Sequence, residues 1–213
     1  MNADDLVFAH RYIPCENAAH APTLLLLHGT GGDENALIPI ASSLGFAANV
    51  LGVRGRVLEN GNARFFRRLS VGVFDEDDLK LQTHALANFV AASAHCYRFD
   101  AQNVVALGFS NGANIAASLL LLRPQTLSGA ILLRAQVPLE VPLEPEICAD
   151  LSGKKILLAS GEYDPLVPVE NARQLALMLR ERGAHVSHEW QDAGHNLVDD
   201  DIEATREWLA KGA

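Results

Sequence analysis

Three residues have the types and the setting for nucleophilic acyl transfer: Ser110, Asp164 and His195. Ser110 stands in Gly108-Phe-Ser-Asn-Gly112, a Gly-X-Ser-X-Gly pattern. The apolar run Val104 to Leu107 precedes it, and an alanine- and leucine-rich stretch with helical character follows. A strand, a sharp turn and a helix in that order form a nucleophile elbow, which pushes the serine hydroxyl off the end of a sheet. The glycines have a steric reason, because such a turn is strained and its neighbours pack too closely for side chains. The helix that follows aims its first N–H groups at the same point.

A serine hydroxyl is a weak nucleophile until a base takes its proton. An acid and then a histidine should follow the serine along the chain. Asp164 lies in Gly161-Glu-Tyr-Asp-Pro165, just beyond the strand-like run Lys155 to Ala159. His195 follows Gly194, just beyond the run His185 to Trp190. Glu162 is the alternative acid, whereas Asp192 reads as a surface loop acid. Asp199, Asp200 and Asp201 read as the N-terminal cap of the last helix. Acyl transfer also needs two N–H donors for the developing oxyanion. The backbone of Asn111, next after the nucleophile, supplies one, and Thr30 in the loop His28-Gly-Thr-Gly-Gly32 supplies the other. His28 reads as a buried histidine holding that loop. A phosphate loop is the rival reading. Glu34 stands where its third glycine belongs, no Gly-Lys-Ser/Thr follows, and Asp33 and Glu34 repel phosphate.

The elements that must position these residues alternate. Strands are predicted at Leu6 to Ile13, Thr23 to Leu27, Asn49 to Val53, Val104 to Phe109, Ala130 to Leu133, Lys155 to Ala159 and His185 to Trp190. Helices are predicted from Asp33 to Leu44 with Gly45 as the stop, from the acidic run Asp75 to Asp78 to about Tyr97, and over Asn111 to Leu122. Two more are predicted, over Val169 to Arg182 and Asp199 to Ala210. Such alternation makes a mostly parallel sheet with helices on both faces. Right-handed crossovers then gather the loops after the strands on one edge, where sites in such folds lie. Arg54 to Val73 and the proline-marked stretch Val137 to Pro145 read as irregular. In the first of these, Phe65 and Phe66 are either core or an aromatic wall of the substrate pocket. Arg134, on the active edge, would add positive charge near the alcohol side of an ester.

At 213 residues and 49% apolar composition the chain suits one domain, 1–213, with a sizeable core. A net charge of −9 argues against nucleic acid and anionic membranes as partners. Three cysteines, Cys15, Cys96 and Cys148, lack metal-ligand spacing and imply no disulfide framework. His185 and His188 point to opposite faces of their strand and cannot share a metal. The acidic N-terminus resembles no signal peptide, and no apolar run is long enough for a membrane span. A cytoplasmic protein is the expectation, with a homodimer as the candidate assembly.

Several segments together resemble the phospholipase/carboxylesterase family of α/β-hydrolases. They are His-Gly-Thr-Gly-Gly-Asp-Glu (28–34), Arg-Phe-Phe-Arg-Arg-Leu with Gly-Val-Phe-Asp-Glu-Asp-Asp-Leu (64–79), Gly-Phe-Ser-Asn-Gly-Ala-Asn-Ile-Ala (108–116), Gly-Glu-Tyr-Asp-Pro (161–165) and Gly-His-Asn-Leu (194–197). Within the family, the chain is similar to the bacterial branch that includes hydrolases linked to hydroquinone resistance. The resemblance implies an α/β-hydrolase fold without a separate lid domain. It also implies a serine carboxylesterase that uses no cofactor or metal, with a triad on Ser110, Asp164 and His195. Where that branch tends to carry His-Pro-Met, this chain has Arg134-Ala-Gln136. A short-chain ester is the leading substrate. A thioester or lysophospholipid is the alternative within the fold, and a non-catalytic ligand-binding protein is the alternative outside enzyme chemistry.

Overall fold

The structure, a computed structural model, describes residues 7–139 and 149–212. In chain order it contains β1 (His10–Ile13), β2 (Thr23–Leu27), α1 (Ile38–Ser43) and β3 (Asn49–Val53). The short strands β4 (Val57–Glu59), β5 (Asn62–Arg64), β6 (Arg68–Ser70) and β7 (Val73–Phe74) follow. Next come α2 (Glu76–Tyr97), β8 (Val104–Phe109), α3 (Asn111–Leu122) and β9 (Gly129–Leu133). The last elements are β10 (Lys155–Gly161), α4 (Val169–Glu181), β11 (His185–Gln191) and α5 (Asp199–Ala210).

Seven strands form the main sheet in the order β1-β3-β2-β8-β9-β10-β11. Only β1 runs antiparallel, against β3. The register sets Leu27 beside Gly108, Phe109 beside Leu133, Leu133 beside Ala159 and Gly161 beside Gln191. The carboxyl ends of the central strands therefore share one edge. The central strands β2, β8, β9 and β10 alternate their apolar side chains between two cores. In β2, Leu25 and Leu27 pack toward α2 and α3, while Leu24 and Leu26 pack toward α1 and α5.

Two expectations change. The helix predicted from Asp33 is only Ile38–Ser43, because Pro39 fits the first turn and no later one. Asp33 instead accepts the N–H of Asn35 at 2.8 Å, closing a side-chain turn. The stretch 54–73 is not irregular but holds two hairpins, β4–β5 and β6–β7. The first turns at Asn60 and Gly61, with φ 51° and 82°. An Asn-Gly pair is a strong hairpin signal, and it was present in the sequence. The first strand begins at His10; the predicted start at Leu6 and the prolines 142 and 145 lie outside the described residues.

Near the sheet edge, His188 Nε2 on β11 shares a hydrogen bond with the buried Ser160 hydroxyl on β10 at 3.1 Å. Burial, helped by the charges of Arg180 and Arg173, pushes the His188 imidazole down to about 4. The unfolded chain binds a proton near the ordinary value of ~6.5. The folded state therefore holds fewer protons between those two values. Its stability is full above pH ~6.5 and falls as the pH drops toward the folded value. The prediction is that the Tm advantage of the wild type over His188→Gln shrinks between pH ~6.5 and ~4. Thermal melts of both proteins across that range measure it, and a constant advantage is the contrary result.

Candidate active site

The elbow is built by close approach. Ser110 has φ 52° and ψ −115°, a conformation non-glycine residues rarely adopt. Its N–H donates to Leu133 O at 2.9 Å, and its carbonyl accepts from Asn114 N at 2.9 Å. The residue is thus tied to β9 on one side and α3 on the other. A Cβ on Gly108 would lie 2.6 Å from Gly112 O, and one on Gly112 would strike the carbonyls of Leu27 and His28. Glycine is required at both places because α3 is pressed onto the ends of β2 and β8.

The hydroxyl this turn presents lies 2.8 Å from His195 Nε2. His195 Nδ1 lies 2.8 Å from Asp164 Oδ2. With Nδ1–H donating to the carboxylate, Nε2 is free to accept the serine proton. The other oxygen of Asp164 accepts the N–H groups of Leu166 at 2.8 Å and Val167 at 3.1 Å. The loop backbone therefore fixes the carboxylate before it meets the imidazole. Glu162 and Asp192 are exposed, and among the described residues His195 forms its hydrogen bonds and ion pair with Ser110 and Asp164 instead. Gly161 lets the two loops close up, since a Cβ there would lie 2.5 Å from Ala193 O.

Thr30 and Asn111 both border the cleft at Ser110. Neither backbone N–H has a partner among the described residues. The loop carrying Thr30 is set by His28, whose Nδ1–H donates to Gly29 O at 2.6 Å and whose Nε2 accepts from Gly55 N at 3.0 Å. Burial lowers the His28 pKa, which favours the neutral ring that this pair of bonds requires. The Asn111 side chain accepts from Phe65 N at 2.7 Å and so anchors the stretch beside the cleft.

Of the three sequence-based substrate residues, two lie away from the cleft and the third borders it without a free charge. Phe65 and Phe66 are fully buried and do not border the cleft. Phe65 packs on the His28 ring at 4.8 Å and Phe66 on Phe74 at 4.9 Å. The aromatic rings on the cleft are those of Phe74 and Phe109. Arg134 borders the cleft, but its guanidinium is fully buried and its charge is consumed. It forms a bidentate pair with Asp201, at 2.8 Å to each oxygen. The remaining N–H groups reach Gly194 O at 2.9 Å, Asn196 O at 3.1 Å and Ala159 O at 3.3 Å. Arg134 thus grips the peptide on either side of His195, with every donor of the guanidinium fork occupied. Asp201 also accepts Val198 N at 2.9 Å, so it caps α5 while neutralising Arg134. Sequence reasoning gave Asp201 only the capping task, and it passed over Arg64, Arg68, Asn114 and Gln136, which border the cleft.

A seven-stranded, mostly parallel sheet with an elbow serine bonded to a histidine at its carboxyl edge defines an α/β-hydrolase of the serine hydrolase class. No separate lid stands over the cleft among the described residues. Residues 71–212 match the phospholipase/carboxylesterase family. A Bacillus subtilis (strain 168) protein named as the hydrolase MhqD is 46% identical over 188 residues, which is 87% of this chain and 90% of that protein. The crystal structure of the Bacillus cereus carboxylesterase superimposes with a TM-score of 0.92 at 41% identity, covering 98% of this chain and 96% of that one. The Mesorhizobium loti carboxylesterase gives 0.89 at 31% identity, covering 98% and 97%. The chain belongs to the phospholipase/carboxylesterase family. No helix among the described residues is long and apolar enough to cross a membrane.

Arg134 generates a prediction. Arg134→Met leaves the Asp201 charge buried without its cation and should destabilise the fold by about 3–5 kcal/mol. Adding Asp201→Leu should recover most of that loss, because a matched apolar pair needs no desolvation of charge. The double variant should still hydrolyse esters more slowly than wild type, since the Gly194 and Asn196 carbonyls have lost their donor. Denaturant melts and kcat on one ester, measured for all three proteins, check both halves.

Proposed function

We propose that this protein hydrolyses small carboxylic esters through an acyl-enzyme on Ser110, with His195 as the base and Asp164 as its orienting acid. The observation that carries this reading is the continuous path from Ser110 Oγ through His195 to Asp164, at 2.8 Å for each step. Ser110 Oγ attacks the ester carbonyl as its proton passes to His195 Nε2. The resulting imidazolium is stabilised by Asp164, which does not itself take the proton. The Thr30 and Asn111 N–H groups bind the oxyanion, where preplaced dipoles need no reorganisation. Collapse of the intermediate breaks the bond to the alcohol oxygen, and His195 returns the proton to that leaving group. Water then repeats the sequence on the acyl-serine, releasing the carboxylic acid and restoring the hydroxyl. No step calls on a metal or cofactor. Phe74, Phe109 and Leu166 give the cleft apolar surface for a small acyl or alcohol group.

Ser110→Ala and His195→Ala should each lower kcat by roughly 10⁶, and the double variant should lose little more, because the two act as a unit. Asp164→Asn should cost about 10⁴ through the wrong imidazole tautomer. Asp192→Asn should be near neutral. An organophosphonate should label Ser110 alone. Turnover of p-nitrophenyl esters of several chain lengths, beside matched thioesters, reads the variants and separates esterase from thioesterase preference, and mass spectrometry of the labelled protein reads the site. Ser110→Ala activity within tenfold of wild type would overturn the mechanism.

A further inference from the structure

The cleft at Ser110 carries charge that a neutral ester does not need. Arg64 and Arg68 both border it, and no aspartate or glutamate does among the described residues. This is a chain of net charge −9. Arg134 cannot account for a ligand charge, because Asp201 neutralises it. Arg64 is 3% exposed. Its Nη1 donates to Thr30 Oγ1 at 2.6 Å and its Nε to Phe66 O at 3.2 Å. The fork is therefore pinned against the loop that supplies Thr30. Arg68 is half-buried, and its Nε donates to Glu59 Oε1 at 2.9 Å. Glu59 also lies 3.6 Å from Arg64 Nε. One carboxylate thus serves two guanidiniums and leaves a net positive charge. Among the described residues, the terminal nitrogens of Arg68 have no hydrogen-bond acceptor. Burial first, and then the neighbouring Arg68 charge, disfavour the charged form of Arg64. An anion placed between them would offset the repulsion and favour the charged form of Arg64.

We propose that this cleft takes esters bearing a second, ionised carboxylate, with Arg68 and Arg64 as the carboxylate subsite. The proposal rests on the esterase reading above and names its substrate class. A planar fork with free terminal N–H groups matches a carboxylate in two parallel bonds, and the partly desolvated wall strengthens them. The pinned Arg64 needs little ordering on binding. Hydrolysis of such an ester adds one water and yields a dicarboxylate and an alcohol, or a carboxylic acid and a hydroxy acid, according to which side bears the charge.

The experiment compares kcat/KM for charged esters and neutral analogues. Monoethyl glutarate is paired with ethyl pentanoate for the acyl side, and O-acetylglycolate with propyl acetate for the alcohol side. In at least one pair the wild type should prefer the charged ester, and added salt should weaken that preference. Arg68→Gln, a change at a half-buried site that should leave the fold intact, should lower the charged-to-neutral ratio by about tenfold or more, the worth of a charge-assisted hydrogen bond. Arg67→Gln is the control, since Arg67 points outward to Asp75 at 3.0 Å, and it should leave the ratio unchanged. A smaller fall in Arg68→Gln, an equal fall in Arg67→Gln, or no charged preference in either pair overturns the subsite. Failure of the esterase reading shows differently, as neutral-ester turnover that survives Ser110→Ala.

Discussion

Ser110 is held at φ 52° between β8 and α3, in backbone geometry that costs on the order of 1–3 kcal/mol. What holds it there is the pressing of α3 onto the carboxyl ends of β2 and β8, possible only because residues 108 and 112 have no side chain. The parallel ladder continues through the turn, with Ser110 N–H bonded to the end of β9. A residue so over-determined by its neighbours cannot relax without separating the helix from the sheet. The hydroxyl direction, the cleft and the helix N–H groups beside it all follow from that contact.

Placing the histidine is a different physical problem, because His195 sits in a loop with no regular ladder to hold it. Arg134 supplies the rigidity. Its guanidinium links the ends of β9 and β10, the peptides on both sides of His195 and the first turn of α5. A buried charge pair is a poor source of net stability, since desolvation offsets most of the attraction. Its directional demands are strict, and here they specify where one loop must lie. Asp164 is placed in the same spirit, by two backbone N–H groups of its own loop.

The two arginine environments at this edge divide the work. Arg134, with a full set of acceptors, is architecture. Arg64 and Arg68 share one carboxylate and face the cleft, so their field remains for a ligand. An acidic chain with a cationic cleft concentrates anions where the low-dielectric walls focus the field.

The elbow, the order of serine, acid and histidine, and the alternation of strand and helix were legible in the sequence. Each depends on local pattern: glycines at fixed offsets, apolar runs of strand length, a residue just past a strand end. The hairpin at Asn60-Gly61 was legible too, although the stretch around it reads as irregular when weighed by composition alone. The partner of Arg134 was not legible. Asp201 lies 67 positions away, and near the sequence it looks like any acid at a helix start. Nor could the sequence tell that Phe65 and Phe66 turn into the core while Arg64 and Arg68 border the cleft. Core-facing phenylalanines and cleft-bordering arginines stand within five residues there, and no local period separates them. Local patterning determined what chemistry the chain carries, and long-range packing decided which charges are spent on structure and which remain for a substrate.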